Sequence, residues 1–81
     1  MKTRDLEGVH LELVDGAHEV EIRVSVDGWS GVAHFPAPVA DEAYREFDKL
    51  KTPNDLENLF REWSDEETWG AWQELRNREK F

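Results

Sequence analysis

The chain has 81 residues, a net charge of −9 and no cysteine. That length makes one domain, residues 1–81, whose folding buries only about 60–65% of the unfolded surface, and the absence of cysteine excludes disulfides and thiolate metal sites and fits a reducing cytoplasm. The negative charge opposes direct binding to nucleic acid, no apolar run approaches the roughly 18–20 residues of a membrane span, and the amino terminus lacks a signal-peptide apolar stretch, so a cytoplasmic protein without nucleic-acid or membrane contact is expected.

Val9, Leu11 and Leu13 alternate with His10 and Glu12, the period of a half-buried strand. Asp15-Gly16 follows, a pair that favours a two-residue type I′ hairpin turn. Val20, Ile22, Val24 and Val26 then alternate with Glu19, Glu21, Arg23 and Ser25, the clearest strand in the chain. Asp27-Gly28 repeats the turn signal, and Trp29, Gly31, Ala33 and Phe35 share the next strand's apolar face. Two hairpins in succession predict a three-stranded antiparallel meander.

Two-residue turns fix a register. Leu11 would lie opposite Val20 and Val9 opposite Ile22; Val26 would face Trp29, Val24 Gly31, Ile22 Ala33 and Val20 Phe35. Every one of these residues falls on one face, so pattern and register agree. Gly31 and Ala33 are small enough for a helix to pack close above them.

Pro36-Ala37-Pro38 ends the sheet, because proline donates nothing to a ladder. Val39, Ala43, Phe47 and Leu50 then recur at helical spacing, with Asp41 and Glu42 in the first turn and Lys49 at the end, as the helix dipole favours. Thr52-Pro53-Asn54-Asp55 starts a second helix, with Thr52 as cap and Asp55 returning the bond; Leu56, Leu59, Phe60 and Trp63 form its stripe. Ser64 and Glu67 have the spacing of a capping box for a third helix lined by Trp69, Trp72, Leu75 and Arg76. The order βββααα predicts an α+β fold with three helices packed on one face of the meander. Trp29, Trp63, Trp69 and Trp72, with Phe35, Phe47, Phe60, Phe81 and Tyr44, supply the bulk a small core needs. Trp69 and Trp72 read as core first and as an exposed dimer patch second.

The charge is uneven along the chain. Residues 5–48 hold eleven acids against two bases, an excess of nine, whereas residues 49–81 hold eight against six. On the uncovered sheet face the deduced register sets Glu12 opposite Glu19, a like-charge pair costing roughly 0.2–1 kcal/mol that a cationic partner would relieve. Reversing both to lysine is therefore expected to abolish binding and leave the fold intact or slightly firmer. The same register makes a row of His10, Glu21 and His34, a known zinc donor set. Outer strands of a triplet stand about 9–10 Å apart, a wide bite for one ion, so Glu21 bridging two imidazoles is the simpler reading and neither metal nor other cofactor is expected. No HExxH, phosphate-loop or GxSxG motif is present, and the chain reads as non-enzymatic.

Small size, acidity, lack of cysteine and lack of a catalytic motif together resemble the small phage-type anti-CRISPR proteins. Several of those imitate DNA and block target recognition by a CRISPR effector. The resemblance covers the profile of the whole chain and no shared motif; it implies a DNA-mimic inhibitor that occupies the basic surface of a nucleic-acid-binding protein or complex. The expected contacts are Glu12, Asp15, Glu19, Glu21 and Asp27 on the meander, then Asp41, Glu42 and Glu46 on the first helix. Two other readings use the same chemistry less directly: an immunity protein or antitoxin that neutralises a toxin, and a structural subunit that dimerises through an edge strand or through Trp69 and Trp72.

Overall fold

A computed structural model describes residues 1–78; Phe81, counted above among the aromatic residues, lies outside them. The described chain is α+β, with four antiparallel strands followed by three helices: β1 (Lys2–Leu6), β2 (Val9–Asp15), β3 (Glu19–Val26), β4 (Trp29–Pro36), a 3₁₀ turn (Ala37–Val39), α1 (Ala40–Lys49), α2 (Asp55–Trp63) and α3 (Glu66–Arg78). The sheet order is β1-β2-β3-β4. The expected three-stranded meander is thus corrected to a four-stranded one.

The additional strand, β1, has a physical origin. Glu7-Gly8 adopts φ 47° and 91°, the left-handed pair of a type I′ turn, and folds Lys2–Leu6 back on β2, with Arg4 opposite Leu11 and Leu6 opposite Val9. Two of the three residues β1 sends to the helix side are cations, Lys2 and Arg4, so apolar alternation does not mark the strand. Arg4 is accommodated because its guanidinium donates to the Leu50 carbonyl at the end of α1 and lies 5.2 Å from the Phe47 ring centroid. One side chain thereby caps a helix terminus and stacks on an aromatic face.

The β3–β4 register is the expected one, with Val26 opposite Trp29, Val24 opposite Gly31, Ile22 opposite Ala33 and Val20 opposite Phe35. Asp27-Gly28 makes the I′ turn, at φ 47° and 79°. The β2–β3 register differs by four residues: Leu11 faces Val24, Leu13 faces Ile22 and Asp15 faces Val20. Asp15-Gly16 is not a two-residue turn. The loop runs on to Glu19 and closes with Gly16 N–H donating to the Glu19 carbonyl at 2.8 Å. The expected register would have set Leu13 against His18 and Val24 against Glu7; the observed one gives both an apolar partner, Ile22 and Leu11. A shift of four preserves the two-residue period of a strand, so the same side chains still point inward.

Helix-facing residues of the sheet join Ala43, Phe47, Leu50, Leu56, Leu59, Phe60, Trp72 and Leu75 in one core. Trp29 sits between Phe60, edge-on at 5.7 Å, and Trp72 at 5.8 Å, while Phe35 stacks on Trp63 at 4.3 Å. Trp72 is wholly buried and Trp69 half-buried against the core, the first of the two roles expected for this pair. The α2 entry keeps the Asp55 half of the expected box, its carboxylate accepting from the Thr52 N–H at 3.1 Å and the Lys51 N–H at 2.8 Å, but the helix starts at Asp55 with Asn54 in the cap position, so Thr52 is not the cap. The α3 cap is one residue later than expected. Asp65 accepts from the Thr68 N–H at 2.7 Å, and Ser64 instead closes α2, its hydroxyl donating to the Phe60 carbonyl at 2.6 Å. Both are short polar residues suited to capping, and only the backbone path decides between them.

Candidate interaction surface

With all three helices on one side, the other sheet face is bare and its content follows from strand parity. One row across it reads Asp5, His10, Ser25, Ser30; the next reads Thr3, Glu12, Arg23, Val32; the third reads Val14, Glu21, His34. Glu19 precedes the third row on β3, opposite Pro36. The face therefore carries four carboxylates, one guanidinium, two imidazoles and no lysine.

Its internal contacts are short-range. His10 Nδ1 lies 3.0 Å from Asp5 Oδ1, and its Nε2 lies 3.9 Å from Glu12 Oε2. Arg23 donates from Nε to Glu21 Oε1 at 2.9 Å. His34 Nδ1 lies 3.0 Å from Glu19 Oε2 and 3.8 Å from Glu21 Oε2. The hydrogen bond with His34 holds the Glu19 carboxyl below the usual glutamate range, reinforced by its contact with Glu21. Glu12 faces Arg23, not Glu19, so the expected like-charge repulsion is absent and an opposite-charge cross-strand pair stands in its place. The consequence for E12K is a change of sign: the new ammonium would oppose Arg23 and loosen the sheet. The row of His10, Glu21 and His34 is likewise corrected, since His10 lies beside Ser25.

The eight expected contact residues do not form one patch. Glu12, Glu19 and Glu21 share the bare face. Asp15 ends β2 and accepts a hydrogen bond from the Tyr44 hydroxyl of α1, which ties helix to sheet; the Asp15 carboxylate also pushes the Tyr44 phenol above its ordinary pKa. Asp27 sits in the β3–β4 turn, at the opposite end of the sheet from the loop after Asp15. Asp41, Glu42 and Glu46 ride on α1, across the sheet from the bare face. Two of these three have local cations: Arg45 pairs with Glu42, and Lys49 lies 3.3 Å from Glu46. The Arg45 hydrogen bond holds the Glu42 carboxyl below its ordinary pKa. Asp5 and Arg23 belong to the surface but were not singled out from the sequence. Recognising Glu7-Gly8 as a third turn would have placed Asp5.

Large apolar side chains do not add to this surface. Among the described residues Met1 is the exposed large hydrophobic, and none of the described helices is long and apolar enough to cross a membrane. Comparison with protein-family models, curated proteins and solved structures yields no match.

Proposed function

We propose that the protein is a non-catalytic acidic inhibitor that docks the bare face of its sheet on a cationic surface of a partner protein and excludes the nucleic acid which that surface binds. The supporting observation is the composition of the face: Asp5, Glu12, Glu19 and Glu21 against Arg23, with no lysine, on a sheet whose other side packs against the helices. Carboxylates on strands about 4.8 Å apart present a regularly spaced anionic array. A net charge of −9 steers encounter with a cationic partner and makes association fast and sensitive to salt. The α1 acids contribute to the long-range field and lie outside the contact.

The test is capture of a partner from lysate by the intact protein at low salt, followed by competition. Duplex DNA or RNA displaces the captured partner, and binding falls steeply between about 50 and about 200 mM salt. A captured partner that nucleic acid does not displace contradicts the decoy reading and favours a toxin neutraliser.

A further inference from the structure

The β3–β4 register offers a metal-donor set without the wide bite of the His10, Glu21 and His34 row, because its donors come from two adjacent strands. Glu21 and His34 are direct cross-strand partners, and Glu19 lies two residues from Glu21 on the same face of β3. We propose that Glu19, Glu21 and His34 form a binding site for a divalent transition metal of the zinc class. The site shares Glu19 and Glu21 with the docking face described above, and the test below reads metal binding without reference to a partner.

Three observations carry it. First, one ligand atom from each residue lies within 4.8 Å of the other two. Zinc at about 2.0–2.1 Å from oxygen and nitrogen ligands sets tetrahedral neighbours roughly 3.3 Å apart. The distances from His34 Nδ1 to the two Oε2 atoms, 3.0 and 3.8 Å, bracket that edge. The ion would enter between the three groups by taking over lone pairs that now meet through hydrogen bonds.

Second, the groups are oriented from outside. Arg23 holds Glu21 by Oε1, which leaves Oε2 turned to His34. This is the kind of outer contact that fixes a ligand and tunes it. Glu21 is also the least exposed of the three side chains, at 21% against 37% for Glu19 and 51% for His34.

Third, the two carboxylates of the site, though not His34, line a recess of about 380 Å³ together with Val14, Gly16, His18 and Arg23. Three protein ligands leave a coordination position open, as in zinc sites that retain a water, and the recess offers room for it. The donor set of two carboxylates and one imidazole suits zinc and its neighbours better than magnesium, which prefers all-oxygen surroundings.

The experiment is calorimetric titration of the untagged protein with zinc chloride, beside melting curves. One equivalent binds and the melting temperature rises, since a ligand of the folded state stabilises it by mass action. H34A and E19Q/E21Q each weaken binding at least about tenfold, while H10A, which alters the other imidazole of the same face, binds as wild type. Magnesium at the same concentration neither binds nor shifts the melt. In wild type, the imidazole NMR signals of His34 shift on zinc addition and those of His10 do not, a readout that needs no variant to fold. Absence of one-to-one binding, or binding that survives H34A, or a shift at His10 in place of His34, overturns the site.

Discussion

Arg4 shows how a single residue decides an element. Its guanidinium closes the carboxyl end of α1 through the Leu50 carbonyl and covers Phe47, so β1 is fastened to the helical layer as well as to β2. R4A is expected to lower stability by about 1–2 kcal/mol, through the lost charged hydrogen bond and the lost packing of the stem. R4K, which keeps a charge without the planar fork, recovers part of that loss. Urea denaturation checks this as a lower midpoint at unchanged slope. Asp55 makes a second residue-scale case. Backbone N–H groups of Lys51 and Thr52 hold its carboxyl below the ordinary pKa. A carboxyl depressed by folding contributes stability that is present above its unfolded value, about 3.9, and that is lost as pH falls through the lower folded value. D55A is therefore expected to cost about 1 kcal/mol near neutral pH, and the gap between wild type and D55A should narrow as the denaturation series is carried below about pH 4. A gap independent of pH would remove the charge from the explanation.

At the scale of elements, the close approach of β4 to α3 is the most sensitive joint. A Cβ on Gly31 would lie 2.5 Å from the Trp29 ring and 3.0 Å from the Thr68 methyl. Trp29 cannot swing aside freely, because Phe60 and Trp72 hold it from the other side. G31A is accordingly expected to destabilise by about 1–3 kcal/mol, seen as a lower melting temperature; a neutral result would mean the ring has slack. The sequence made this contact legible: two small residues on an apolar face, followed by aromatic helices. It also made six of the seven regular elements legible, because each carries an apolar period of two or of three to four. β1 was hidden for the opposite reason. Of its inward positions, Lys2 is exposed and Arg4 is satisfied by helix-side contacts that no local pattern announces. The β2–β3 slide was hidden because Asp15-Gly16 mimics a tight turn, while the loop actually closes at Glu19. Parity survived the slide, so the core was read correctly while the cross-strand neighbours of the bare face were not. That asymmetry explains why Glu12 and Glu19 were expected as opposed partners; the Glu19, Glu21 and His34 cluster rests on the β3–β4 register, which was legible, and on side-chain directions, which were not.

For the whole molecule, the acidic excess of residues 5–48 does not become a single pole. The antiparallel sheet divides it between a bare face and α1, and β1 contributes its two cations on the helix side, where Arg4 is bonded. The bare face sets four carboxylates, Asp5, Glu12, Glu19 and Glu21, against the one guanidinium of Arg23. α1 and α3 also carry acids, yet α1 interleaves them with Arg45 and Lys49, and α3 has Arg76 and Arg78 in its last turn. A partner that recognises an anionic array has in this face a candidate built across four paired strands. The direct measurement is the affinity of the captured partner for wild type, for E12Q/E19Q/E21Q and for D41N/E42Q/E46Q, all with chelator present so that metal binding plays no part. Both triple variants remove three negative charges, so long-range steering changes equally and only the contact differs. The account predicts at least about a tenfold loss for the sheet-face variant and less than about twofold for the helix variant; equal losses, or a larger loss from α1, would contradict it.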